Sequence, residues 1–166
     1  MNSKFLLFIV MFFVLGFSTY AQQERGDKVF RFSVSYTKYG TADGFTLVDL
    51  KGGYFITKNI EAGAEPQILL GGGITQLGLG LYSTYNFLTP DGKMVPYAGL
   101  RISAAFQSLK IGNTDTSKGS GNVGLYGGLR YYITERINLD SGLSYDVGSI
   151  NVFQWTMGIG VILGRK

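Results

Sequence analysis

Residues 77–87 read Leu-Gly-Leu-Gly-Leu-Tyr-Ser-Thr-Tyr-Asn-Phe, an alternation of large apolar residues with small or polar ones. Successive side chains of a β-strand point to opposite faces, so this stretch predicts a strand with one apolar and one polar face. Its apolar face carries no charge. Strands of roughly 9–11 residues cross a membrane when tilted, and this segment has that length.

The same alternation recurs in seven other segments. Tight turns are predicted at 57–59, 88–93 and 134–136, and longer connections at 37–44, 71–73, 107–122 and 148–151. An even strand number returns the chain to its starting side, so we expect the tight turns and both termini to face the periplasm and the longer connections to face outward. Pro66 predicts a bulge or early fraying of its strand. The other predicted strands are 30–36, 46–56, 60–68, 96–106, 123–133, 137–145 and 153–163.

Glycine and charge indicate which face points inward. A soluble barrel of the lipocalin type keeps its apolar face inside, whereas a membrane barrel reverses this arrangement. The lumen of eight strands is barely wide enough for side chains, so glycines beside tyrosines and arginines favour a filled polar interior. The glycines assigned to the polar face are Gly53, Gly63, Gly78, Gly80, Gly99, Gly124, Gly128, Gly142, Gly158 and Gly160.

The charges on the polar face are nearly balanced, as a buried lumen requires, because an isolated buried ion is costly. We therefore predict a structural polar network in the lumen, with Asp146 as a further anion. Its predicted members are Arg31, Asp49, Lys51, Glu61, Glu65, Arg101, Arg130 and Asp140. Aromatic residues near both ends of the strands predict two belts at the membrane interfaces; they are Phe30, Tyr54, Phe87 and Tyr131, and Tyr36, Phe106, Tyr145, Phe153 and Trp155.

Residues 1–21 have the features of a cleaved signal peptide. Lys4 provides a positive charge, residues 5–17 are apolar, and Ala21 offers a small residue for cleavage. The apolar run of about 13 residues is shorter than the roughly 20 that a spanning helix needs. The prediction is therefore a signal peptide at 1–21 followed by one domain at 22–166: an all-β, eight-stranded, antiparallel, up-and-down transmembrane β-barrel.

Composition restricts the chemistry. The chain has no histidine and no cysteine, which removes the usual neutral-pH base and the thiolate nucleophile or metal ligand. We expect no enzyme activity, no cofactor and no metal. A formal net charge of +4 without a long basic run makes nucleic-acid binding an unlikely function.

Two segments resemble the small outer-membrane β-barrel family of the OmpA transmembrane domain, OmpX and OmpW. They are residues 53–60, Gly-Tyr-Phe-Ile-Thr-Lys-Asn-Ile, and residues 95–99, Val-Pro-Tyr-Ala-Gly. The last strand resembles the family's insertion signal, with Leu163 where an aromatic residue is usual. The resemblance implies outer-membrane lipid and the barrel-assembly machinery as partners. The residues matching the insertion signal are Thr156, Gly158, Val161 and Leu163.

Three functions remain open from the sequence. The first is a non-enzymatic outer-membrane barrel with an envelope or surface-contact role, in which loop 107–122 meets an extracellular ligand. The second is a narrow channel for small solutes or hydrophobic compounds. The third is a secreted, soluble, lipocalin-like barrel that binds an apolar ligand.

Overall fold

The chain forms a closed antiparallel barrel in which each strand pairs with its neighbours in sequence. The computed structural model describes residues 23–37, 45–71, 74–111, 114–148 and 151–164. The predicted signal peptide at 1–21 lies outside these residues. The strands are β1 (Lys28–Thr37), β2 (Phe45–Phe55), β3 (Ile60–Gly71), β4 (Ile74–Asn86), β5 (Met94–Ile111), β6 (Thr114–Tyr132), β7 (Ile137–Gly148) and β8 (Val152–Leu163).

The first and last strands complete the barrel. β1 pairs with β8 from Lys28 opposite Leu163 to Ser35 opposite Thr156, so along these residues each strand has a partner on both sides. This removes the unpaired strand edges that otherwise invite aggregation. The eight-stranded, up-and-down fold class predicted from the alternation is confirmed. In the described part of the chain, no helix has the length and apolar character needed to span a membrane.

The predicted apolar face lies on the outside of the barrel. Leu79, Leu100 and Leu125 are each more than half exposed, whereas Glu61 and Glu65 have no exposed surface. A soluble barrel with an apolar interior has the opposite arrangement, so the lipocalin-like alternative is wrong. On this outer face the Trp155 indole N–H donates to Ser141 Oγ at 3.1 Å, so the polar group of the tryptophan has a partner.

Leu100→Arg is expected to cost about 2–4 kcal/mol of unfolding free energy, because Leu100 lies midway along the apolar band of β5. Met94→Arg on the same strand, at the edge of that band, should cost at most about 1 kcal/mol. Urea unfolding in lipid vesicles measures both values. Equal costs at the two positions would contradict a lipid-facing outer surface.

The tight turns lie together at one end, here called the short-turn end. Two of them share the sequence Ile-Thr-X-X-Ile, at residues 56–60 and 133–137. In each, the threonine hydroxyl accepts the backbone N–H of the second isoleucine at 3.0 Å, which fixes the reversal. In the turn between β4 and β5, the Thr89 hydroxyl donates to Asp91 and lowers the pKa of that carboxyl below its usual value.

The opposite end, here called the hairpin end, differs from the prediction. The sequence predicts a polar loop at residues 107–122, but β5 and β6 include 107–111 and 114–122, with Gln107 opposite Lys118 and Ile111 opposite Thr114. The loop prediction is wrong because inter-strand backbone hydrogen bonds do not depend on side-chain polarity, and Gly, Ser and Thr tolerate them. We call residues 107–122 the long hairpin. The predicted connection at 37–44 falls largely outside the described residues.

The expected bulge or fraying at Pro66 is also wrong. The register between β2 and β3 is the same on both sides of the proline, with Asp49 opposite Gln67 and Gly52 opposite Ala64. Only the pairing of Pro66 and Glu65 with β2 is interrupted. Toward β4 the ladder is continuous, and Pro66 lies opposite Leu79. A missing N–H therefore interrupts pairing with one neighbour without shifting the strand.

Candidate functional site

The lumen gathers the charged residues of the polar face. All eight predicted members of the polar network, and Asp146, point inward from six strands, namely β1, β2, β3, β5, β6 and β7. Lys51 and Asp140 keep 17% and 13% of their side-chain surface exposed, and the others are buried more deeply. Salt bridges divide these residues into two clusters at different heights.

The cluster nearer the short-turn end is organised around Glu61. Both oxygens of this carboxylate accept from the Arg31 guanidinium, with Nη2 to Oε2 at 2.7 Å. Arg130 Nη1 lies 3.2 Å from Oε2, and the Tyr82 hydroxyl donates to Oε1 at 2.6 Å. The planar guanidinium suits such two-point recognition of a carboxylate. Glu61 therefore compensates parts of two buried positive charges.

Asp140 completes this first cluster from β7. Its Oδ2 lies 3.1 Å from Arg130 Nε and 3.9 Å from Arg31 Nε, and its Oδ1 accepts from the Tyr97 hydroxyl at 2.6 Å. Arg130 also stacks over the Tyr97 ring at 4.4 Å from its centroid. Two arginines and two carboxylates thus form a neutral, cross-linked layer that spans the barrel.

The second cluster lies nearer the hairpin end. Arg101 donates to Asp146 Oδ1 at 2.7 Å and to Glu65 Oε1 at 3.2 Å. Lys51 Nζ is 3.3 Å from the same Glu65 oxygen and 4.8 Å from the Tyr126 ring centroid. Two cations therefore meet two carboxylates here, and Arg101 ties β5 to β3 and β7, which are not its neighbours in the barrel.

Asp49 is the exception. It is only 1% exposed, yet among the described residues its carboxylate makes no salt bridge, and Oδ1 has no hydrogen-bond partner. A buried carboxylate without compensation is costly, so this position differs physically from the rest of the network.

An apolar cluster closes the lumen at the short-turn end, and sequence reasoning missed it. The side chains of this cluster lie on the lumen face of their strands, closer to the short turns than the arginines do. Sequence reasoning assigned apolar residues to the outer face and therefore did not place them inside. The Gln23 amide donates to the Tyr132 hydroxyl, and the Gly26 N–H donates to the Phe55 carbonyl at 2.9 Å, so the segment before β1 covers the same opening. The members are Val29, Phe55, Val95, Tyr132 and Ile162.

Little free space remains between the two layers. A cavity of about 20 Å³ is lined by Arg31, Lys51, Tyr82, Arg101 and Arg130, among other residues. A volume of about 10–15 Å³ holds one water, so this space accommodates little more. The described residues contain no group of three or more His, Cys, Asp or Glu arranged to hold a metal. The arrangement suits rigid cross-linking better than reaction or passage.

The residues predicted to form an insertion signal lie on β8, on both faces. Thr156 and Gly158 face the lumen, whereas Val161 and Leu163 face outward, and Leu163 is 51% exposed. Their role in assembly stays a prediction.

Comparisons with known proteins agree with this architecture. A family model described as Opacity family porin protein matches residues 25–164. The N-terminal β-barrel domain of Pseudomonas aeruginosa OprF is 17% identical, with a TM-score of 0.73, over 85% of this chain and 100% of that chain. Neisserial surface protein A is 19% identical, with a TM-score of 0.62, over 81% and 94%.

The attachment invasion locus protein Ail of Yersinia pestis, in complex with the heparin analogue sucrose octasulfate, is also similar. It is 15% identical, with a TM-score of 0.52, over 84% of this chain and 99% of that chain. At these identities the likeness to solved structures shows the fold alone. No curated protein sequence matches the chain.

Proposed function

Because the chain belongs to the Opacity family of porin proteins and is located in the bacterial outer membrane, we propose that it is a non-enzymatic, non-conducting barrel that contacts partners outside the cell through the long hairpin. The observation that carries the proposal is the contrast between a filled lumen and a projecting pair of strands. On this proposal residues 1–21 are a cleaved signal peptide, and lipid and the assembly machinery are partners during insertion.

The interior supports a structural role. The salt-bridged layers cross-link six of the strands, and the apolar cluster blocks the short-turn end. Histidine and cysteine are absent from the sequence, so a serine or carboxylate in the lumen would have no neutral-pH base beside it. These features argue against both catalysis and transport.

The long hairpin supports a contact role. β5 pairs with β4 only as far as Ser108, and β6 pairs with β7 only from Asn122. Within the described residues, the part of β6 from 114 to 121 is therefore flanked by β5 alone. From Gln107 to Ile111 the strand extends about 14 Å at roughly 3.4 Å per residue. Interaction surfaces commonly lie on such extensions of a rigid scaffold.

Two of the similar structures give this role a precedent. Neisserial surface protein A is a surface protein by name, and the Ail structure contains the heparin analogue sucrose octasulfate. In the present chain Lys118 and Lys110 lie on the long hairpin, on opposite strands. A sulfated polysaccharide is therefore one ligand class worth testing, alongside protein and lipid surfaces.

The orientation can be tested with single cysteines, because the chain has none of its own. Gly119→Cys lies on the long hairpin, where an added side chain meets no atom within 4 Å, and Lys58→Cys lies in an exposed short turn. In intact cells a membrane-impermeant maleimide should label only the first. Lys58→Cys should be labelled once the outer membrane is permeabilised, and the reverse pattern would refute the proposed topology.

The contact role is tested by shortening the hairpin. Gln107 and Lys118 are direct partners, so replacing residues 108–117 with Asn-Gly gives a two-residue turn on an intact barrel. Cells displaying equal amounts of either barrel are applied to immobilised heparin, fibronectin and lipopolysaccharide. The full-length hairpin should increase retention several-fold on at least one surface. Equal retention on all three would contradict a contact role.

Conductance in planar bilayers tests the filled lumen. The purified barrel should give no unitary current, because the apolar cluster and the salt-bridged layers leave no continuous path. Reproducible single-channel steps would favour the narrow-channel alternative.

A further inference from the structure

The charges of the lumen do not balance. Among the described side chains on the lumen face of the strands, the four cations are Arg31, Lys51, Arg101 and Arg130, and the five carboxylates are Asp49, Glu61, Glu65, Asp140 and Asp146. Every one of these except Asp49 takes part in a salt bridge. One negative charge therefore remains, and it lies on a side chain that is almost completely buried.

Asp49 is one of four residues on consecutive strands that each bury an oxygen atom without a partner. Asp49 Oδ1, Glu65 Oε2, Ser35 Oγ and Gln154 Oε1 are all buried, and none has a hydrogen-bond partner among the described residues. Ser35 and Gln154 are 2% and 7% exposed, and both belong to strands next to or near β2. Unpartnered buried acceptors are rare in folded proteins because each loses its hydration without replacement.

Strand register places the four residues side by side. They lie on β8, β1, β2 and β3, which are consecutive around the barrel. Ser35 pairs with Thr156 of β8, and Gln154 lies two positions from that partner. On its other side Ser35 pairs with Leu47 of β2, and Asp49 lies two positions from Leu47. Glu65 is likewise two positions from Gln67, the partner of Asp49. Diagonal neighbours of this kind are roughly 7–8 Å apart, within reach of one another's side chains.

We propose that Gln154, Ser35, Asp49 and Glu65 form a binding site for an alkali-metal cation, Na⁺ or K⁺, in the half of the lumen nearer the hairpin end. Carboxylate, amide and hydroxyl oxygens are ligands for hard cations. A single positive charge restores neutrality, since Lys51 and Arg101 already offset Glu65 and Asp146 and leave only the charge of Asp49. A divalent ion would leave the layer positively charged, and the described residues lack a three-carboxylate group for it.

The site is tested with the folded full-length mature barrel in an uncharged detergent. Thermal unfolding is followed in NaCl, KCl and choline chloride at one ionic strength, because choline is too large to enter. The midpoint should rise by about 2–4 °C in at least one alkali salt relative to choline, and the rise should saturate with concentration. Broadening of the ²³Na resonance by the barrel gives a second, direct readout.

Substitutions locate the effect. Asp49→Asn should abolish the saturable rise and the broadening, whereas Asp91→Asn, in an exposed turn, should leave both unchanged. Gln154→Leu, which keeps all charges, should weaken binding at least several-fold and covers the case in which Asp49→Asn fails to fold. Identical midpoints in all three salts, or stabilisation that follows pH alone, would overturn the proposal in favour of water or a proton. Retention of the effect in both lumen variants would overturn the assignment of these residues.

Discussion

Glu61→Gln is expected to lower the free energy of unfolding by about 3–5 kcal/mol. The substitution keeps the shape of the side chain but removes the charge that Arg31 and Arg130 share. Two buried guanidinium groups then lose part of their compensation, and the Tyr82 hydroxyl loses a charged acceptor. Urea unfolding of the barrel in vesicles, followed by heat-modifiable migration, measures the loss.

Two controls accompany this variant. Asp91→Asn removes a carboxylate from an exposed turn and should change stability by less than about 0.5 kcal/mol. Adding Arg31→Gln to Glu61→Gln should cost less than the sum of the two single changes, because the double variant no longer leaves that arginine unpaired. A loss below about 1 kcal/mol for Glu61→Gln would show that water screens the network, which would contradict a filled lumen with buried salt bridges.

Gly53→Val should destabilise the barrel by about 3 kcal/mol or more, whereas Gly52→Val should stay within about 0.5 kcal/mol. A side chain at position 53 points into the lumen, where it collides with the Tyr82 hydroxyl and comes within 3.1 Å of Glu61 Oε1. At position 52 it points outward and meets nothing within 4 Å. The two substitutions are identical and adjacent, so strand propensity contributes equally to both.

The same unfolding experiment measures this pair. A similar loss at both positions would mean that valine acts through the backbone, and a similar tolerance would mean that the interior has room to adjust. Either result would contradict a tightly filled lumen around Tyr82.

The sequence was sufficient to predict the barrel because side chains alternate between the two faces of any β-strand, whatever the strand packs against. Leu79, Leu100 and Leu125 fall in one phase and Glu61, Arg101 and Arg130 in the other, and the structure separates them in this way. The positions of the charges could therefore be read from the phase. The sequence did not predict which cation forms a salt bridge with which carboxylate. These pairs depend on the register between strands, and the alternation of apolar and polar residues is the same for every register.

Two features of the structure, the apolar cluster and the long hairpin, were not predicted from the sequence, each for a different reason. Val29, Phe55 and Val95 occupy the inward phase, but an apolar residue looks the same in sequence whether it contacts lipid or fills the lumen. Continuing the phase of Arg31 and Tyr97 by one step would have placed Val29 and Val95 inside. The long hairpin was not predicted because its Gly, Ser, Thr and Asn residues are typical of loops. Its strands are held by backbone hydrogen bonds to each other, which side-chain composition does not indicate.

The contact between β1 and β8 has a consequence for biogenesis. Lys28 and Leu163 lie at opposite ends of the barrel sequence, and no shorter stretch of chain contains both partners. A nascent polypeptide lacking β8 would carry two bare edges, on β1 and on β7, and such edges recruit other chains. Contacts so distant in sequence form slowly, and closure of the barrel has to wait until β8 is available. β8 thus acts as a completeness check for the barrel, since a polypeptide that lacks this strand cannot close.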